Sequence, residues 1–371
     1  MKIKKVDIKS FQSNKYFYGS IQLLLTVKSF ELQAIRRRYL ASRKNVSGRV
    51  GSVERRQTGI GGIVKLIIKN GIVTEAEILN NLQEPRGIAF NFDKLAIAAE
   101  DKVYIITDKD MFELNNPWFS YIHSVDFSND GKKILISSSG FDSIFEYDLL
   151  TGKKTFEWFA WEHGFNKAND PESGEMVTLT RDREENEKLI KKGTKVKLIT
   201  DPAKQYLPTA MRSAFINSVV YDNTGNNRFL ATFFHEGAIY DIDSISGNAW
   251  CVLAGLKSPH GGRRFMKKYM ATSTGSGEVV VGNSNDQLRY DFNHLPGKPT
   301  EMENLEWLQN SIIIDDIIVT IDSNRTSFII FNPKERVYDT IAYDDSWAIQ
   351  DMINAELSIK QEEKVRLLGI R

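Results

Sequence analysis

The chain has 371 residues, 41 % hydrophobic and 26 % charged, the make-up of a globular protein rather than a disordered or fibrous one. Its 49 Lys and Arg balance 48 Asp and Glu, so no net charge draws it to nucleic acid or an anionic membrane, and neither is expected as a partner. Cys251 is the only cysteine, which excludes an intramolecular disulfide and fits a reducing compartment.

The opening stretch MKIKKVDIKSFQSNKYFYG carries basic residues without the apolar run of a secretory signal. The run at 21–27 is too short and too interrupted to span a membrane, and a cytoplasmic location is expected. Residues 1–58 stand outside the repeat described below and read as an N-terminal extension. Within it SFELQAIRRRYLASR, residues 29–43, has the pattern of a basic amphipathic helix, either packed on the body of the protein or acting as an arm for a partner.

From about residue 60 short apolar runs alternate with turn residues, the mark of an all-β array. Strands are predicted at 62–68 and 72–78. Six segments then share one pattern: Arg86-Gly-Ile, His123-Ser-Val, Asn217-Ser-Val, His260-Gly-Gly, Asn310-Ser-Ile and Trp347-Ala-Ile. A large polar or aromatic residue is followed by a small one and, in all but one case, an aliphatic. All but one interval is about the 40 to 50 residues of a propeller blade, and the long one, 123 to 217, fits a blade plus an insertion or a degenerate extra blade. Two units resolve into four strands each: 124–127, 133–137, 144–147 and 155–159, then 218–221, 228–233, 238–241 and 249–253. The turns between them, such as Ser128-Asn-Asp-Gly131 and Asp222-Asn-Thr-Gly225, tolerate left-handed backbone.

The fold predicted is therefore all-β, a six-bladed β-propeller over residues 59–371. Two strands from the C-terminal end, 347–354 and 364–370, complete a last blade with those at 62–68 and 72–78, which leaves no free sheet edge. A five-bladed ring with loose ends is the alternative. The small residue of each repeat lets first strands converge on the axis, and the aliphatic fills the space between blades.

Strand direction alternates, so first-strand starts, second-to-third loops and post-fourth-strand segments share one face, here called the top. That places Arg86, His123, Asn217, His260 and Asn310 in an inner ring, with Trp347 as an aromatic wall and His235 and His163 close by. The insertion 161–212 emerges on the same face. It reads as a strand at 175–180, a charged helix at 183–192 and a strand at 195–199, and is placed as a lid.

Three chemistries fit the ring. Neutral imidazoles of His123 and His260, with His235 or His163, suit zinc, whereas the Asn217 and Asn310 carbonyl oxygens suit calcium; His123, His260 and Asn217 are the candidate metal ligands. Metal-free acid–base or nucleophilic work would use His123 and His260, with Arg86 holding an anionic group. A binding platform without chemistry, its channel filled by water, is the third. No Gly-rich phosphate loop, HExxH, CxxC or GxSxG motif occurs.

At the six repeat starts, and in SVDFSNDGKKILISSSGFDSIFEYDLLTGKK, the chain resembles the six-bladed propellers of the gluconolactonase, strictosidine-synthase and arylsulfotransferase-like superfamily, over about residues 60–371. In the gluconolactonase branch, Asn and acidic side chains at inner positions hold a divalent metal. Asn217 and Asn310 match that type, while His123 and His260 stand at other ring positions. Peptide-amidating lyases on a similar scaffold bind zinc through histidines, and arylsulfotransferases use a histidine nucleophile with Arg and His support. The resemblance implies an enzyme acting on a small molecule or modified peptide, a lyase, hydrolase or transferase, with His123, His260 and Arg86 catalytic and Asn217, Asn310, Trp347, His163 and His235 around the substrate. The rival reading is a non-catalytic propeller that binds a protein or small-molecule partner.

Overall fold

The computed structural model describes residues 1–44, 50–54, 58–225 and 227–369. Among them the strands form six sheets of four or five strands and one of three. The first strands of the six larger sheets, Ile88–Asn91, Ile122–Phe127, Ile216–Tyr221, Pro259–Phe265, Leu308–Ile314 and Ala348–Ile353, neighbour one another in a closed ring. The protein is a β-propeller, and each larger sheet is a blade, numbered here from Ile88–Asn91 as blade 1 to Ala348–Ile353 as the closing blade.

Local sequence explains the hairpins. In blade 2 the Asp130 carboxylate accepts from the Ser128 hydroxyl and the Lys132 N–H, and Gly131 takes φ of 63° to close the turn. Packing explains the small residues near the axis. A Cβ on Gly87 would stand 2.6 Å from the Ser124 Cα, and one on Gly261 would stand 1.7 Å from the Asn310 Oδ1. Between blades lie apolar layers. The largest joins Phe145, Trp158 and Phe159 of blade 2 to Phe229 and Phe233 of blade 3, all buried.

The ends close the ring differently from the sequence expectation. The C-terminal end gives one strand, Ala348–Ile353, which pairs with Ser20–Ser29; that strand pairs with Ile60–Lys69, and Ile60–Lys69 with Ile72–Gln83. The segment before residue 59, set apart as an extension, thus supplies a second strand of the closing blade. Its SIQLLLTVKS is apolar without alternation because sheets cover both of its faces. Lys2–Asp7 and Gln12–Ser13 add parallel outer strands to blades 4 and 5.

Of the strand predicted at 364–370, residue 370 lies outside the described residues, and 364–369 are instead part of a helical end. Its signals are a capping box between Ser358 and Gln361 and buried residues at helical spacing, Gln361, Val365 and Leu368. Three α-helices occur among the described residues: α1 (Leu32–Ser42), α2 (Arg183–Lys191) and α3 (Ile359–Arg366). None is long and apolar enough to cross a membrane.

The insertion is built as its pattern implies, with strands Lys167–Asn169, Met176–Thr180 and Val196–Leu198 around a solvated α2. Its body, however, is a buttress more than a lid. Ala168, Leu179 and Ile199 are buried in the layer that contains Trp158 and Phe233. Arg181 pairs with Glu157 and Glu162 and lies 3.8 Å over the Phe159 ring. Only its last limb reaches the axis. There the Asp142 carboxylate accepts from the Ser213 and Phe215 N–H groups at 2.7 and 2.6 Å, fixing the chain as it enters blade 3.

Candidate functional site

The register of each first strand against its neighbour defines the inner ring. In blade 2 Ile122 faces Ser138 and Ser124 faces Ser137, so His123 is an extra residue in the ladder, a β-bulge. Asn217 is the same in blade 3, between Ile216, opposite Phe233, and Ser218, opposite Thr232. In blade 4 Pro259 faces Ser273, which puts His260 at this level. In blade 5 Leu308 faces Asp322, so the equivalent residue is Gln309 and not Asn310. In the closing blade Ile349 faces Val27 and Asp351 faces Thr26, so it is Gln350 and not Trp347. The top ring therefore reads Arg86, His123, Asn217, His260, Gln309 and Gln350.

Above this ring is a funnel of about 130 Å³. His123, His260, Gln309, Gln350, Lys28 and Arg38 are among its polar lining residues, and Tyr121, Phe215, Phe234 and Trp307 among its aromatic walls. The N-terminal helix α1 roofs it. Tyr39 stacks on Trp307 with ring centroids 5.1 Å apart and planes at 7°. Arg36 anchors α1 by donating to the backbone oxygens of Ser323 and Asn324, each at 2.8 Å.

The two histidines face each other with ring centroids 5.6 Å apart. Both are buried. His260 Nδ1 lies 2.8 Å from the Thr274 hydroxyl, which holds the ring in place. Neither ring nitrogen of His123 has a hydrogen-bond partner among the described residues, although its ring lines the funnel. Burial, then the nearby Lys28, brings the His260 pKa down to about 3. Burial, then His260, Arg86, Lys28 and Arg212, holds His123 well below its ordinary value. Both imidazoles are neutral at pH 7.

Arg86 occupies its ring position but is not presented to the funnel. It is wholly buried, ion-paired with Glu84 and Glu100, and stacked 3.4 Å over the Tyr121 ring. Its place as an anion-binding group is taken by these internal partners. Asn217 is also turned inward: its Nδ2 donates to the Pro259 oxygen at 2.7 Å, and its buried Oδ1 has no hydrogen-bond partner among the described residues. Asn310 lies one residue below the ring, where its Nδ2 donates to the Asp351 carboxylate at 2.5 Å.

Trp347 packs in the apolar layer between blade 5 and the closing blade, and Trp307 is the tryptophan of the funnel. His163 is at the periphery, stacked on Trp158 at 4.8 Å. His235 Nε2 lies 3.0 Å from the Thr209 oxygen, so it braces the insertion's last limb beside the funnel. Among the described residues no group of three or more His, Cys, Asp or Glu gathers to hold a metal.

Lys28, Gln309, Gln350 and Trp307 escaped the sequence reading, and the one signal for the glutamines is the aliphatic residue just before each of them. Glu84-Pro-Arg86, Tyr121-Ile-His123, Phe215-Ile-Asn217 and Ser258-Pro-His260 each begin with a residue at positive φ and place Pro or Ile just before the ring residue. Before Gln309 and Gln350 stand Trp307-Leu308 and Ala348-Ile349, where only the aliphatic residue just ahead of the ring position is kept and the positive φ is not.

No known protein family and no curated protein matches the sequence. Among solved structures, a chain of the nidogen–laminin complex is similar with TM-score 0.52 and 10 % identity, covering 92 % of this chain and 100 % of that one. A catalytically inactive virginiamycin B lyase from Staphylococcus aureus with quinupristin aligns at TM-score 0.43 and 12 % identity, over 72 % of this chain and 75 % of that one. A chain of the mitotic checkpoint complex aligns at 0.40 and 11 %, over 73 % and 63 %. At such identities the likeness is one of fold alone, and the fold it supports is the β-propeller already evident in the sheets.

Proposed function

We propose that the protein acts on a small organic molecule, or on the end of a modified peptide, held in the axial funnel, with His123 and His260 as the pair that meets it. The observation that carries this reading is the pair itself: two buried, neutral imidazoles stand side by side in the lining of a small aromatic-walled cavity. A packed core has no use for two such rings, since burying polar groups costs free energy unless they are answered.

Imidazoles this hard to protonate work as oriented hydrogen-bond donors and acceptors. They polarise a carbonyl or position a leaving oxygen rather than relay protons through the imidazolium. Such a role suits lyase, hydrolase or group-transfer chemistry. Zinc or calcium fits the residues less well. Among the described residues the donors on offer are two imidazoles and the Asn217 carbonyl oxygen, and no carboxylate lines the funnel, while Lys28, Arg86 and Arg212 bear on His123.

The test is a fragment screen by ligand-observed NMR on the wild type, His123→Gln and His260→Gln. Compounds that bind the wild type and lose binding to both variants support the reading; a screen whose hits are indifferent to both variants refutes it. The rival, a face that docks a protein partner, draws on the exposed Arg37 and Arg38 of α1 and Arg43 at its C-cap, and predicts silent histidine variants.

A further inference from the structure

We infer that the funnel selects a compact, flat ligand carrying a carboxylate or equivalent acceptor oxygen, which the Gln309 amide nitrogen receives close to the Lys28 charge. This rests on the funnel being a ligand site, as proposed above, and adds the class of molecule.

The argument begins with a chain of hydrogen bonds whose direction only one residue can set. Lys28, at the end of strand Ser20–Ser29, has an ammonium that can only donate. Its Nζ lies 3.0 Å from the Gln350 Oε1. The Gln350 oxygen therefore faces the lysine, and its Nε2 faces the other way, donating to the Gln309 Oε1 at 3.3 Å. The Gln309 oxygen is thereby used, and its Nε2 is the end of the relay. Gln309 lines the funnel, and among the described residues no acceptor answers that nitrogen. Reversing either amide would set two NH₂ groups, or an NH₂ and an ammonium, against each other.

Charge and shape agree with this polarity. The charged residues lining the cavity are Lys28 and Arg38, and no Asp or Glu is among its described lining residues. A donor backed by a cation favours an anionic acceptor, in the shorter and stronger kind of hydrogen bond. A cavity of about 130 Å³ is close to the roughly 150 Å³ that holds a benzene ring, and Trp307, Phe215 and Phe234 offer faces and edges to a flat one. The acid could be a free small molecule or the C-terminal carboxylate of a peptide, and the same nitrogen would receive either.

Isothermal titration calorimetry with three probes tests this: benzoate, N-acetylphenylalanine as a stand-in for a peptide terminus, and benzamidine as the cation of matching shape. The proteins are the wild type, Lys28→Met, Gln309→Glu, Gln309→Met and His260→Gln, each checked for a native melting transition. Wild type is expected to bind one or both acids and not benzamidine. Lys28→Met and Gln309→Glu should weaken the acid by at least about tenfold. Gln309→Met, which adds no charge, keeps the test valid if either of those fails to fold.

Benzamidine binding as tightly as benzoate, weakened by His260→Gln, would overturn the ligand class while leaving the site in place. Acid binding that Lys28→Met and both Gln309 variants leave unchanged would overturn the relay. Binding of every probe indifferent to His260→Gln would overturn the site itself.

Discussion

Arg86→Met separates a structural ring residue from a functional one. The substitution keeps most of the side chain's length and removes its charge. Arg86 is wholly buried, and Glu84, its ion-pair partner, is 1 % exposed. Breaking a buried pair from one side costs about 3–5 kcal/mol, because the remaining charge is left in a poor solvent. The stack on Tyr121 is lost as well. For domains of 150–250 residues each kcal/mol moves the melting point by about 2–4 °C, so a drop of about 10 °C is expected here. Glu84→Gln combined with Arg86→Met should recover part of it, since the carboxylate that loses its guanidinium is then gone. Differential scanning calorimetry supplies the melting points, and fragment binding reports the funnel. A single variant melting within about 2 °C of wild type, yet unable to bind funnel ligands, would refute the reasoning and restore Arg86 as an anion-binding group.

Three further outcomes follow from the same structure. Both funnel imidazoles have pKa values below the ordinary 6.5 in the fold, so protons are taken up on unfolding below that pH, and stability should fall as pH drops from 6.5 toward 3. Each histidine contributes about 1.4 kcal/mol per pH unit in that window. Asp126 and Asp351, raised by burial to about 6, work in the opposite sense, so the informative quantity is the difference in urea midpoints between wild type and His123→Gln/His260→Gln at pH 7 and 5. The double variant should lose less stability on acidification; an equal loss would contradict the neutral-pair assignment. Deleting residues 347–371 removes the first strand of the closing blade and should abolish the cooperative melt, whereas deleting 1–16 takes only outer strands and should leave a propeller that melts lower. Replacing 167–200 by a Gly-Ser linker should destabilise the protein strongly, because Ala168, Leu179 and Ile199 are core, while shortening α2, which buries none of its residues, should be tolerated by circular dichroism and melting point.

The parts of the fold legible in the sequence are those made by local signals. Blades 2 and 3 follow their turns, because Asp, Asn and Gly in hairpins fix strand ends within a residue or two. The charged helix of the insertion follows its N-cap Asp182, whose carboxylate accepts from the Glu184 and Glu185 N–H groups. What local signals do not carry was missed. Ser20–Ser29 pairs with a strand more than 300 residues away, and nothing in its own composition names that partner. The ring was legible where a small residue follows the ring residue directly, at His123, Asn217 and His260. It slipped by one residue at Asn310, where Asn and Gln are adjacent and both polar. It slipped by three at Trp347, where Trp-Ala-Ile imitates the repeat but Gln350 carries the bulge. Arg86 was placed correctly and given the wrong task, because the sequence does not show that Glu84 and Glu100 fold back onto it.

The most direct test of the central claim watches the two imidazoles. In a sample labelled with ¹⁵N at histidine, long-range proton–nitrogen correlation gives one pattern for each of the five rings, assigned by the single His→Gln variants. At pH 7 His123 and His260 should show the nitrogen shifts of neutral rings, and a funnel ligand should move both sets of signals together while His163 and His294, far from the axis, stay in place. Either ring protonated at pH 7, or ligand-induced shifts confined to the peripheral histidines, would contradict the account.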